Sequence, residues 1–102
     1  MKPLVRHARA DEDIQAALAY YLEQSPAVAL DWIDALEAAC QNIQRHPATG
    51  APRYAHELNL PGLRFMSCGK FPYLVFYIET EDYIAVWRVL HEKRDIPAWL
   101  QD

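Results

Sequence analysis

The stretch YLVFYIETEDYIAVWRVLH occupies residues 73–91. Aromatic and β-branched residues fill its two halves, and such side chains pack well on a pleated surface. Thr80, Glu81 and Asp82 interrupt it with a polar connection of hairpin length. Two antiparallel strands are therefore expected, 73–79 and 83–91. Each is apolar on both faces, which places them at the centre of a sheet. A further run, Leu63 to Cys68, precedes them across the short connection 69–72. The C-terminal half thus reads as an antiparallel meander of three strands.

The N-terminal half has a different period. Ile14, Ala17, Leu18, Tyr21 and Leu22 recur at i, i+3, i+4, i+7 and i+8, one apolar stripe of a helix. Asp11 suits its N-cap, with Glu12 and Asp13 in the positive first turn. Ser25-Pro26 ends this helix and opens a second, because proline fits the first helical position, where its missing N–H is not needed. Ala29, Trp32, Ile33, Leu36, Cys40 and Ile43 form the apolar face of the second helix. It stops near His46-Pro47. With almost no linker the two helices form an antiparallel hairpin. Residues 3–8 read as a short first strand, with Pro3 at its start; this places His7 where it can lie beside the last strand and meet His91. The span 47–62, with prolines at 47, 52 and 61, is a long connection of the kind that often carries function. Ile96 to Leu100 is too short for an independent helix and is expected to fold back as a single turn carrying Trp99 or Leu100.

The order is β-α-α-β-β-β. It implies an α+β domain with the N-terminal helical hairpin on one face of an antiparallel sheet, the other face left to solvent or a partner. The 102 residues suffice for one domain, 1–102, and 52% are hydrophobic, enough for a core. No apolar run approaches the roughly 20 residues of a membrane span, and the N-terminus carries too much charge for a signal peptide. A cytoplasmic protein with no membrane association is expected. Cys40 and Cys68 read as reduced, buried thiols, with a disulfide between them as the weaker alternative. There is no Cys/His spacing for zinc, so neither metal nor cofactor is expected. The net charge of -4 lowers the expectation of nucleic-acid affinity, although a local basic patch could supply it.

Five segments along the chain carry a resemblance: ADEDIQAALAYY (10–21), HPATGAPR (46–53), the LR at 63–64, YLVFY (73–77) and above all VWRVLHEKRDIPAWL (86–100). They resemble the toxins of the RelE/ParE superfamily from bacterial type II toxin–antitoxin modules, the ParE branch most. The resemblance implies a toxin that stops growth unless a cognate antitoxin covers it. That antitoxin would be ParD-like, with a ribbon-helix-helix DNA-binding part, so that operator DNA is reached only through it. RelE-like members cut messenger RNA in the ribosome, whereas ParE-like members are associated with DNA gyrase poisoning without catalytic residues.

Cleaving RNA without a metal requires a group to activate the 2′-hydroxyl, an acid for the leaving oxygen and cations for the phosphorane. Lys70, Arg64, Arg88, His91, Lys93 and Arg94 lie in the right region. A histidine can move protons near neutral pH, but its partners are missing here, and no tyrosine follows Tyr83. With no nuclease set beside it, the ParE-like resemblance implies a gyrase-binding toxin with no catalytic residue, not an enzyme, as the expected function. The alternatives are a ribosome-dependent mRNA endonuclease and an inactive antitoxin-binding relative. Guided by the resemblance, the target-binding candidates are Arg64, Arg88, His91, Arg94 and Trp99; the antitoxin-binding candidates are Tyr20, Arg53 and Tyr54. Arg88 stands inside an apolar strand, so it must either pair with an acid of the helical hairpin or the loop, such as Glu57, or stand exposed as an anchor. Trp32 belongs to the core, Trp99 is either a cap on the core or an exposed anchor, and only one of Tyr20 and Tyr21 can face inward.

Overall fold

The computed structural model describes residues 1–101. Asp102, the last residue of the expected domain, lies outside them. Strand β1 (Leu4–Arg6) leads directly into helices α1 (Ala8–Gln24) and α2 (Pro26–Arg45). A 3-10 turn at Pro47–Thr49 and a short helix α3 (Arg53–Glu57) follow. Strands β2 (Leu63–Cys68), β3 (Phe71–Glu79) and β4 (Ile84–His91) come next, and helix α4 (Ile96–Leu100) ends the chain.

The expected α+β architecture is present. β2, β3 and β4 form the antiparallel meander. β1 joins the sheet beside β4 and runs parallel to it, pairing Leu4 with Ile84 and Arg6 with Val86, so the sheet is mixed, in the order β1-β4-β3-β2. β3 and β4 are the central strands, as their apolar composition requires. A bulge interrupts them. Pairing steps from Phe76–Arg88 to Tyr77–Val86 and leaves Trp87 without a partner. The alternation of β4 changes phase there. Val86 and Val89 both face the helical hairpin, while Trp87 and Leu90 face the other way.

Ser25 alone separates α1 from α2, in extended conformation, with Pro26 opening the second helix. Ala10, Ile14 and Ala17 of α1 and Ala29, Trp32, Leu36, Ala39 and Ile43 of α2 are buried against the sheet. α1 begins at Ala8, so Asp11 is not its N-cap. The helix starts where β1 ends: the His7 N–H finishes the parallel ladder on the Val86 carbonyl, and the His7 carbonyl accepts the Asp11 N–H. The Asp11 carboxylate instead takes Arg6 at 3.0 Å. The His7 ring lies against Trp87, not His91.

The second face of the sheet is not left open. Leu63, Phe76, Leu90, Ile96 and Leu100 form a second buried cluster, with Tyr54, Leu58, Leu60 and Trp99 packed around it. The span 47–62 and α4 supply this cover. Neither segment could hold a helix alone; each is helical because its apolar side chains are buried on the sheet.

One contact anchors the long connection. The Tyr77 hydroxyl, buried at the centre of β3, donates to the Pro47 carbonyl at 2.6 Å and accepts the Gly50 N–H at 3.1 Å. Arg64 of β2 donates to the Gly50 carbonyl at 2.7 Å. A Cβ on Gly50 would collide with the Tyr77 ring, 2.8 Å from Cζ. Gly50→Ala is therefore expected to cost about 1–3 kcal/mol through overpacking. Tyr77→Phe, which orphans the buried Gly50 N–H and the half-buried Pro47 carbonyl, should cost a similar amount, about 1–3 kcal/mol. Urea unfolding of both variants checks this.

Cys68 is fully buried in the hairpin-side core and Cys40 is half-buried; both are free thiols. Burial pushes the Cys68 thiol from 9.0 up to about 12. In the unfolded chain this thiol ionises from about pH 9, but in the fold it stays protonated. Its contribution is thus complete below pH 9 and lost as pH rises toward 12. Urea midpoints measured between pH 8 and 11 should fall, and Cys68→Ala should make that fall shallower.

Candidate functional site

β1 covers only the first part of β4, from Ile84 to Val86. Beyond Val86, β4 has an open edge, and α1 leans over it. The Asp13 carboxylate of α1 fills this gap. Its Oδ2 accepts the Val89 N–H at 3.0 Å and the Arg88 Nε–H at 2.8 Å, and its Oδ1 accepts Arg88 Nη2 at 2.9 Å. Arg88 Nη1 reaches the Trp99 carbonyl of α4 at 2.9 Å. This is a bidentate, charge-assisted pair, the strong form of the interaction. Arg88 is only 6% exposed. Of its two alternatives the structure shows the ion pair, with Asp13 in place of Glu57, which sits exposed on α3. Arg88 is not an exposed anchor. The bulge at Trp87 changes the phase of β4 next to it, and Arg88 spans from α1 to α4 around the strand edge.

Past this pair, the end of α1 and the β4–α4 turn frame a groove. Two adjoining cavities of about 190 and 560 Å³ share Tyr20, Tyr73, His91 and Arg94. Asp13 and Trp99 line the smaller; Tyr21 and Lys93 line the larger. Four of the sequence candidates, Tyr20, His91, Arg94 and Trp99, thus meet in one place. Tyr20 is 56% exposed and Tyr21 is half-buried, so only one of the adjacent tyrosines turns inward. The Arg94 guanidinium lies over the Trp99 ring at 4.0 Å, and Arg88 lies on the same ring at 5.6 Å. Trp99 is half-buried, packed on the second cluster but still reaching the groove. His91 Nδ1 accepts the Lys93 N–H at 3.1 Å, which holds the turn and leaves Nε2 to carry the proton of the neutral ring. The His91 ring meets Tyr73 edge-on at 5.3 Å.

The remaining candidates lie elsewhere. Arg64 is half-buried and bound to Gly50. Tyr54 packs on Phe65 and Phe76, on the face away from the hairpin, with Arg53 over its ring at 5.2 Å. Lys70 pairs with Asp31 at 3.7 Å. The cations that RNA cleavage would gather are thus dispersed: Arg64 and Arg88 hold structure, Lys70 lies on the surface beside Asp31, and only Lys93 and Arg94 accompany His91. Asp13 and Tyr73 belong to the groove and were not legible as site residues. Asp13 reads as first-turn acid and Tyr73 as strand filling; a lone arginine inside an apolar strand was the one available sign that an acid had to be near. Among the described residues, no three metal-ligating side chains converge.

Burial pushes the Tyr73 hydroxyl upward, against the opposing effect of nearby Arg94. Burial also raises Tyr21, helped by the neighbouring Tyr73 and Tyr20. Both hydroxyls therefore remain proton donors at neutral pH.

The family described as the ParE toxin of the type II toxin–antitoxin system, parDE, matches residues 4–96. The chain belongs to this family. The match runs from β1 to the first residue of α4 and takes in the hairpin, the meander and the Asp13–Arg88 pair. Among solved structures, a neighbour in fold is a chain described as a chromosomal ParDE TA system from P. aeruginosa. It superposes with a TM-score of 0.73 at 19% identity, over 89% of this chain and 96% of that one. No curated protein matches the sequence.

Removing one partner of a buried ion pair leaves the other uncompensated, at a cost of about 3–5 kcal/mol. Asp13→Ala and Arg88→Ala should each lose about that much, and the Asp13→Ala/Arg88→Ala double variant should lose clearly less than their sum. A double-mutant cycle by urea denaturation reads this out; strict additivity would deny the coupling.

Proposed function

We propose that this ParE-family chain is a growth-inhibiting toxin that binds and poisons DNA gyrase, and that a cognate, ParD-like antitoxin neutralises it in a complex. The family match over residues 4–96 carries this reading. The antitoxin would be the DNA-binding partner, so operator DNA is reached through it. The chain acts by binding and not as an enzyme. Two observations support this over RNA cutting. Arg88 and Arg64, the residues best placed in sequence to steady a phosphate, are engaged by Asp13 and Gly50. Among the described residues, the acid–base side chains that share the groove with His91 are Asp13, which Arg88 engages, Lys93, and the tyrosines Tyr20, Tyr21 and Tyr73. In the C-terminal cluster, half-buried His91 and Trp99 and exposed Arg94 form a polar and aromatic rim suited to a protein partner, where arginine and tryptophan are frequent hot spots.

Purified gyrase supplies the test. The antitoxin-free chain should block supercoiling or trap linear, protein-linked plasmid in the presence of ATP, and antitoxin should reverse this. Arg94→Ala and Trp99→Ala, at the rim, should weaken the effect about tenfold or more, as loss of a hot-spot residue of 1.4 kcal/mol or above requires. Unaffected gyrase at a dose that arrests growth would reject the reading. Codon-phased cuts in translated messages, abolished by His91→Ala, would establish the endonuclease in its place.

A further inference from the structure

The rim formed by Arg94 and Trp99 is held from behind. α4 has five residues, too few for a helix that stands alone. Ile96 and Leu100, both buried, fix it to the second face of the sheet. Trp99 also lines the smaller cavity of the groove. Its backbone carbonyl belongs to the last turn of α4, where no helical N–H follows to pair it. Arg88 Nη1 donates to that carbonyl at 2.9 Å.

The Trp99 ring meets two guanidiniums. Arg88 lies 5.6 Å from its centroid and Arg94 lies 4.0 Å from it. Each contact attracts, but two like charges beside one ring repel each other. Asp13 offsets the Arg88 charge through both of its carboxylate oxygens, which lets Arg94 settle on the same ring. Asp13 itself is poorly placed to touch a partner. Its side chain is 14% exposed, and Arg88 and the Val89 N–H already take its oxygens. Asp13 and Arg88 therefore stand one step behind the residues that a partner would meet.

We propose that Asp13 is a positioning residue for the rim: by fixing Arg88 it sets the pose in which Trp99, and Arg94 upon it, meet a protein partner. The consequence for gyrase rests on the reading that this rim contacts gyrase. The relay from α1 through β4 to α4 is a property of the chain alone and is measured alone. Ile96 and Leu100 hold α4 on the sheet without Arg88, so loss of the relay releases the indole and not the helix.

Fluorine NMR of the antitoxin-free chain labelled with fluorotryptophan tests this. Trp32, Trp87 and Trp99 each give a resonance, and Trp99→Phe assigns the last. In the wild-type chain the Trp99 ring should be as immobile as that of fully buried Trp32. Asp13→Asn keeps the shape of the side chain and removes its charge. Arg88→Lys keeps the charge and loses the planar fork that spans Asp13 and the Trp99 carbonyl. Both should shift and sharpen the Trp99 resonance and leave that of Trp32 in place, with native circular dichroism. Each should weaken supercoiling inhibition about tenfold, as Trp99→Ala does. The Asp13→Asn/Trp99→Ala double variant should be no weaker than Trp99→Ala, because a residue that acts through Trp99 has nothing left to position. A merely structural role for Asp13 makes the two losses add, and additive losses overturn the proposal. So does a Trp99 resonance that Asp13→Asn leaves unmoved. A Trp99 ring that already averages over rotamers in the wild-type chain overturns it without any variant having to fold. Gyrase left untouched by the wild-type chain rejects the gyrase reading alone, because the fluorine spectra decide the relay without it.

Discussion

The contact between Asp13 and Arg88 is the constraint on which the rest depends. A short parallel strand leaves most of the β4 edge without a neighbour, and an unpaired N–H there would be costly once buried. Asp13 satisfies the Val89 N–H and neutralises Arg88 with one carboxylate. The arginine in turn reaches the Trp99 carbonyl. Helix, strand edge and C-terminal turn are thereby joined by charge-assisted bonds in a place little exposed to screening. Buried pairs of this kind add little net stability over an apolar replacement. Their effect is on specificity: only the arrangement that brings α1 over the end of β4 satisfies all these groups together.

A second constraint acts on the opposite side of β3. Tyr77 offers one hydroxyl as both donor and acceptor, and the long connection after α2 closes around it through Pro47 and Gly50. The isolated bridge between Ala51 and Phe65 continues this pairing onto the outer edge of β2. The connection is therefore a fixed part of the fold. It brings α3 onto the sheet face that the hairpin does not reach, which explains why both faces of β3 and β4 are apolar.

These two constraints also sort the basic residues. Arg64 and Arg88 are consumed in holding the loop and the strand edge. Lys93 and Arg94, beyond the end of the sheet, remain available beside a ladder of aromatic rings. What this toxin-family chain presents to a partner is therefore the tail end of the cation cluster, framed by Tyr20 and Trp99.

Much of the architecture was legible from residues 10–43 and 63–91 alone. The helical stripes, the Ser25-Pro26 junction and the aromatic strands are local signals, since periodicity and φ restriction act within a few residues. Trp32 and the central position of β3 and β4 followed from the same patterns. The bulge at Trp87 left no such trace, because a strand apolar on both faces carries no phase information. The parallel pairing of β1, the cover supplied by α3 and α4, and the choice of Asp13 as partner across 75 residues are long-range outcomes. Several acids could have met Arg88; which one did depends on where α1 crosses the sheet edge. The sequence by itself determined the elements, their order and the supply of charge. Only the tertiary structure decided which charges cancel and which stay free, because Coulomb energies and hydrogen bonds depend on distances of a few ångströms that no local pattern encodes.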